Sequence, residues 1–100
     1  MYKVLVFLKK TNDEEVILHF RNFLVKYFSD LMGKDLPIGS VESNPLLEIK
    51  YSLFIELELE SKENWEKLFA SEAGENLEKD LIEFHKYINI IFINYEHLLN

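Results

Sequence analysis

Tyr51-Ser52-Leu53-Phe54-Ile55-Glu56-Leu57-Glu58-Leu59-Glu60 is the stretch on which the fold turns. Leu53, Ile55, Leu57 and Leu59 alternate with Phe54, Glu56, Glu58 and Glu60, the two-residue period of a strand with one buried face. Phe54 adds apolar weight to the second face, so the alternation leaves open which face meets helices. Toward the amino terminus, Tyr2–Leu8 is a second strand, with Tyr2, Val4, Val6 and Leu8 on one face and Leu5 and Phe7 on the other. Toward the carboxyl terminus, Tyr87–Tyr95 repeats the pattern, with Ile91 and Ile93 against Ile88, Ile90 and Phe92. Strands that are apolar on both faces are covered on both faces.

Helices separate these strands. Thr11 and Glu14 have capping-box spacing, with Asn12 and Asp13 as rival caps. Val16, Ile17, Phe20, Phe23, Leu24, Tyr27, Phe28 and Leu31 follow at three- and four-residue steps as one broad apolar stripe, and Gly33 can end the helix in the left-handed conformation. Leu36–Ser43 is a weaker strand that Pro37 confines to a sheet edge or delays to Ile38, and Asn44-Pro45 makes a turn. Ser61 caps a second helical region with Trp65, Leu68 and Phe69, Gly74 interrupts it, and a further stretch carries Leu77, Leu81, Ile82 and Phe84.

The order is β-α-β-β-α-β over residues 1–100, one α+β domain of the ferredoxin-like type: a four-stranded antiparallel sheet with both helices on one face. The first and last strands are expected at its centre. Helices on one face leave the other bare, and a bare apolar sheet is an exposed patch that soluble monomers rarely carry. A second copy packed sheet to sheet with two-fold symmetry covers it, so a homodimer is expected.

Charge and composition exclude several function classes. From Glu56 to Glu83 ten acids face three lysines, which accounts for the whole formal charge of −7. Such a domain repels phosphate backbones, so nucleic acid is not an expected partner. Apolar runs of at most four or five residues span no bilayer, and the first ten residues do not form a secretory signal; a cytoplasmic protein without a membrane partner is expected. The absence of cysteine removes disulfides, thiolate metal sites and a cysteine nucleophile. The histidines, at 19, 85 and 97, form no H-x-x-x-H or H-E-x-x-H spacing, so neither a metal nor another cofactor is expected.

The chemistry-bearing candidates are few. His19 sits at the edge of the first helix's stripe, where imidazole could act as acid or base. Glu56 is the second catalytic candidate: with Leu53, Ile55 and Leu57 toward the helices it faces the dimer partner, where a tyrosine or lysine would pair with it. His85 belongs to a turn before the last strand and His97 to the terminus beyond it. His19, Phe23, Tyr27 and Tyr51 are the expected lining of a pocket for a small apolar or aromatic ligand.

The chain resembles the EthD-like group of the dimeric α+β barrel superfamily. The resemblance rests on Phe54-Ile55-Glu56-Leu57-Glu58-Leu59-Glu60-Ser61, then Trp65, Phe69-Ala70-Ser71, Leu77, Asp80, Phe84 and Tyr95-Glu96-His97, with Lys3–Lys10, Glu15-Val16 and Phe20 before them. It implies a sheet-to-sheet homodimer and a small cavity between sheet and helices in each subunit. Superfamily members include cofactor-independent monooxygenases, haem-degrading enzymes and isomerase-like proteins. The group often carries a first-helix histidine four residues after an aromatic, and here that position is Leu24, which moves no proton. Two functions follow as expectations: a binder of a small apolar or aromatic molecule, as a cofactor-free catabolic enzyme or accessory protein, and a non-catalytic homodimeric scaffold with a filled core.

Overall fold

In the computed structural model, which describes residues 1–42, 45–46 and 48–96, β1 (Tyr2–Lys9) leads into a helical rod made of α1 (Glu14–His19), a π-helical segment (Phe20–Leu24) and α2 (Val25–Met32). A short β2 (Gly39–Ser40) and the long β3 (Tyr51–Leu59) follow. Then come α3 (Lys62–Phe69), α4 (Glu72–Phe84), a 3-10 turn (His85–Tyr87) and β4 (Ile88–Asn94). The sheet order is β2-β3-β1-β4, antiparallel throughout. β1 is central as expected. β4 is not: it occupies an edge, because β3 takes one side of β1 and leaves β4 the other side, with no described strand beyond it.

Pairing in register decides the faces. Val4 lies opposite Leu57 and Phe92, Val6 opposite Ile55 and Ile90, and Leu8 opposite Leu53 and Ile88. This face carries the helices and the core: Val4, Val6, Leu8, Ile55 and Leu57 have no exposed surface. The question left by Phe54 is thereby answered, with Leu53, Ile55, Leu57 and Leu59 inward. The opposite face shows Leu5 beside Glu56 and Ile91, Phe7 beside Phe54 and Asn89, and Lys3 beside Glu58 and Ile93. No helix packs on it among the described residues. A register shift between Leu8 and Lys9 sets Tyr51 opposite Lys9 and turns the tyrosine out of the strict alternation. Its ring packs against that of Phe7 on the open face, tilted by 32° with centroids 4.9 Å apart.

Of the three candidate caps of the first helix, Asp13 holds the position, its Oδ1 accepting from Glu15 N–H at 3.0 Å. Gly33 ends the rod with φ +70°, as its place after the stripe predicts. The π-helical segment matters for the site. In a straight α-helix, residues spaced by four drift about 40° per step around the axis. The wider turn, marked by Val25 N–H bonding to Phe20 C=O, absorbs that drift. Val16, Phe20, Leu24 and Phe28 therefore stay in one buried line, while Phe23, placed in the stripe by its spacing, is 52% exposed.

The break between α3 and α4 falls at Ala70–Ser71 and not at Gly74, which lies inside the first turn of α4. Ser71 caps α4 by accepting from Gly74 N–H at 3.3 Å. Gly74 is needed for space: a Cβ there would come within 2.6 Å of the Leu68 carbonyl oxygen and nearer still to the Phe69 carbonyl. The weak second strand is shorter than its sequence span, two residues at the edge beyond β3. Part of the expected strand and turn (Ser43, Asn44) and His97 with its terminus lie outside the described residues. No helix among those described is long and apolar enough to cross a membrane.

Candidate active site in the groove between the first helix and α4

An aspartate sits within the apolar stripe of α4. Leu77, Asp80 and Phe84 are spaced by three and four, so one helix face carries all three, and Leu77 and Phe84 are buried. On the facing rod, His19 lies three residues after Val16 and four before Phe23, at the end of α1 where the π-helical segment begins. The packing of these two faces brings His19 Nε2 to 2.8 Å from Asp80 Oδ1. The aspartate side chain is 11% exposed and the histidine 34%. The other carboxylate oxygen, Oδ2, is buried and has no hydrogen-bond partner among the described residues. The imidazole stacks on Phe84 at 4.5 Å and on Phe23 at 5.2 Å.

Two open grooves meet at Glu83 beside this pair. One, of about 440 Å³, is lined by Tyr27, Asn76, Lys79, Asp80 and Glu83. The other, about 270 Å³, includes Val16, His19, Phe84 and Tyr87 with Asp13, Glu15 and Glu83 at its rim. Phe84 and Tyr87 form an aromatic wall, their rings 5.1 Å apart. The space between helices and sheet, expected from the resemblance to hold a cavity, is filled by Phe20, Leu24, Phe28, Ile55, Leu57 and Leu77. The grooves beside His19 and Asp80 lie between the helices instead.

Among the expected pocket residues, His19, Phe23 and Tyr27 gather around Asp80. Tyr51 does not: it stands on the open sheet face, where its hydroxyl accepts from Asn89 Nδ2 at 2.7 Å. Glu56 is also on that face, 42% exposed, and pairs with Lys3 Nζ at 2.9 Å, with Glu58 at 3.5 Å from the same nitrogen. The hydrogen bond from Lys3 to Glu56 holds the lysine's pKa above its ordinary 10.5, with the Coulombic pull of Glu56 and the second contact to Glu58 adding to it. Glu56 is thus an ion-pair partner remote from His19. His85 lies in the 3-10 turn, bonded through Nδ1 to the Ile82 carbonyl.

Asp80 is the residue that sequence reasoning undervalued, and Phe84 goes with it. A carboxylate at a core position of an amphipathic helix is the signal that could have found it, because burial of such a group demands a partner. Which partner could not be read, since 61 residues separate His19 from Asp80. As a unit the pair can do one thing well. The carboxylate accepts from Nε2–H, fixes the ring's orientation and leaves Nδ1 of the neutral ring as a lone pair. No cluster of three His, Asp or Glu side chains suited to a metal ion occurs among the described residues.

No protein-family model and no curated protein matches the chain. Solved structures do. An ethyl tert-butyl ether D (EthD) family protein from Bacillus halodurans C-125 superposes with a TM-score of 0.77 at 18% identity, covering 96% of this chain and 99% of that one. The protein At3g17210 from Arabidopsis thaliana superposes with a TM-score of 0.60 at 22% identity, covering 99% and 96% respectively. The fold is that of the EthD-like, ferredoxin-like α+β proteins.

Proposed function

We propose that the protein is a homodimer, paired through its open sheet face, that binds a small apolar or aromatic molecule in the groove at His19. The carrying observation is the His19–Asp80 hydrogen bond: a stripe position of α4 is given to a carboxylate whose bonded partner is a histidine lining the groove. A purely structural helix contact would be served better by two apolar side chains. The imidazole there can accept or return a proton without any cofactor. This is the reading of a cofactor-free catabolic enzyme or accessory protein.

The homodimer rests on the open face. Leu5, Phe7, Phe54, Ile91 and Ile93 form a continuous apolar surface across three strands, and Ile91 is 42% exposed. Lys3, Glu56 and Glu58 mark its charged end.

The filled core favours a second reading, a non-catalytic homodimeric scaffold. Native mass spectrometry of protein from a heterologous host separates the two. A dimer carrying extra mass supports the binder, and a dimer that stays bare through soaking with small aromatic compounds supports the scaffold. A monomer refutes sheet pairing. Ile91→Lys is expected to give a folded monomer, because the site is exposed in the single chain; a persistent dimer would place the interface elsewhere.

A further inference from the structure

The chemistry of the groove selects a ligand class. Resting on the binder reading above, we propose that the groove accepts a phenol or enol in its neutral form. The ligand hydroxyl donates to His19 Nδ1, and Asp80 is the positioning residue that holds the hydrogen of the neutral ring on Nε2.

The tautomer follows from the pairing. An ionised carboxylate only accepts, so the nitrogen 2.8 Å from Asp80 carries the hydrogen. In the neutral imidazole Nδ1 is then an acceptor. Among the described residues Nδ1 has no hydrogen-bond partner, and the side chain that bears it is a third exposed and lines the groove. The vacant function at the site is therefore an acceptor, and the ligand must bring a donor.

The walls set the ligand's body. Tyr87, half-buried, offers aromatic surface beside the imidazole, backed by the buried Phe84 and Val16, and offset or edge-on packing of an unsaturated ring suits it. The rim sets its charge. Asp13, Glu15 and Glu83 surround the opening, and none forms an ion pair among the described residues. Asp13 commits one oxygen to the Glu15 N–H. Lys86 over the Tyr87 ring at 5.0 Å and Lys79 in the adjoining groove stand against the three rim acids and Asp80, so acids remain in excess. An anionic ligand meets net repulsion there. A cation would find carboxylates, but these are exposed and hydrated and attract it only weakly. A neutral donor meets no repulsion and gives up no ionic hydration.

The test is long-range proton–nitrogen NMR of the whole protein at about pH 8, which reads each ring nitrogen as bare or hydrogen-bearing. The His19 signals are assigned with His19→Gln. The free protein should show Nε2–H and a bare Nδ1. Phenol, benzoate and benzylamine are then titrated in turn. Phenol should shift Nδ1, with benzoate and benzylamine at least about tenfold weaker. Asp80→Leu removes the acceptor that orients the ring and should weaken the phenol response at least about tenfold while the circular dichroism spectrum is retained. A wild-type ring protonated on Nδ1, benzoate or benzylamine binding as well as phenol, or an Asp80→Leu protein that is folded and binds phenol as the wild type does overturns the proposal. If Asp80→Leu does not fold, the wild-type tautomer and the order of the three ligands decide. Binding in the wrong order defeats this inference alone; no response to any of the three defeats the binder reading with it.

Discussion

Gly74→Ala should destabilise this protein, although alanine is the better helix former. In a helix interior the exchange ordinarily gains about 1 kcal/mol. Here the added Cβ would lie 2.6 Å from the Leu68 carbonyl oxygen and closer to the Phe69 carbonyl, where real Cβ atoms stay beyond 3.0 Å. The obstacle is backbone at the end of α3, so no side chain can swing away. Either α3 retreats by roughly 1 Å or the start of α4 tilts, and strain of this kind costs about 1–3 kcal/mol in packed interiors. Because backbone must move, we take the upper end and subtract the propensity gain, which leaves a net loss of about 2 kcal/mol. At about 4–8 °C per kcal/mol for a domain of this size, Tm should fall by about 8–16 °C. Thermal unfolding followed by circular dichroism reads it, with Asn76→Ala, an exposed position of the same helix, as control. An unchanged or raised Tm for Gly74→Ala would refute the close approach and with it the positioning of α4 on which the His19–Asp80 contact depends.

At Gly39 the obstacle is a side chain: an added Cβ would stand 2.6 Å from Phe54 Cζ and 3.0 Å from Cδ1. Gly39→Ala should push that ring across the open face and weaken dimerisation, read by sedimentation equilibrium, more than it lowers the melting temperature of the fold. Ser61 Oγ accepts from Asn64 N–H at 3.1 Å at the start of α3, so Ser61→Ala should cost about 1 kcal/mol in a urea titration. Lys3 has a folded pKa above its ordinary 10.5, so its contribution to stability is complete below that value and is lost as pH rises through the folded one. Melting curves taken from about pH 9 to about pH 12 should therefore fall more steeply for the wild type than for Lys3→Met; parallel curves would show that the pairing with Glu56 and Glu58 adds nothing to the fold.

How much of this was legible in the sequence depends on the range of the interaction involved. The strands at Tyr2–Lys9, Tyr51–Leu59 and Ile88–Asn94 were readable because a two-residue period is local and survives any packing. So were the Gly33 terminus and the Ser61 cap, which need only neighbouring backbone. Phe23 was misjudged because a regular helical period cannot foresee a wider turn, and that turn exposes it beside His19. Gly74 was misjudged as a break because its spatial neighbour, the end of α3, becomes visible only when the two helices meet. His19 was singled out from one helix and Asp80 noted on another, but nothing local says that they touch.

By itself the sequence determined the order of elements, the presence of an apolar sheet face and the acidic surface of the second half, since all three are sums of local preferences. Only the tertiary structure decided that β4 is an edge strand, that Tyr51 turns onto the open face, and that Glu56 spends its charge on Lys3. It also filled the expected interior cavity and opened a groove beside His19 and Asp80 between the helices. The physical reason is the same in each case. Register, packing and ion pairing join residues distant along the chain, and chain closure chooses among partners that local periodicity leaves equivalent.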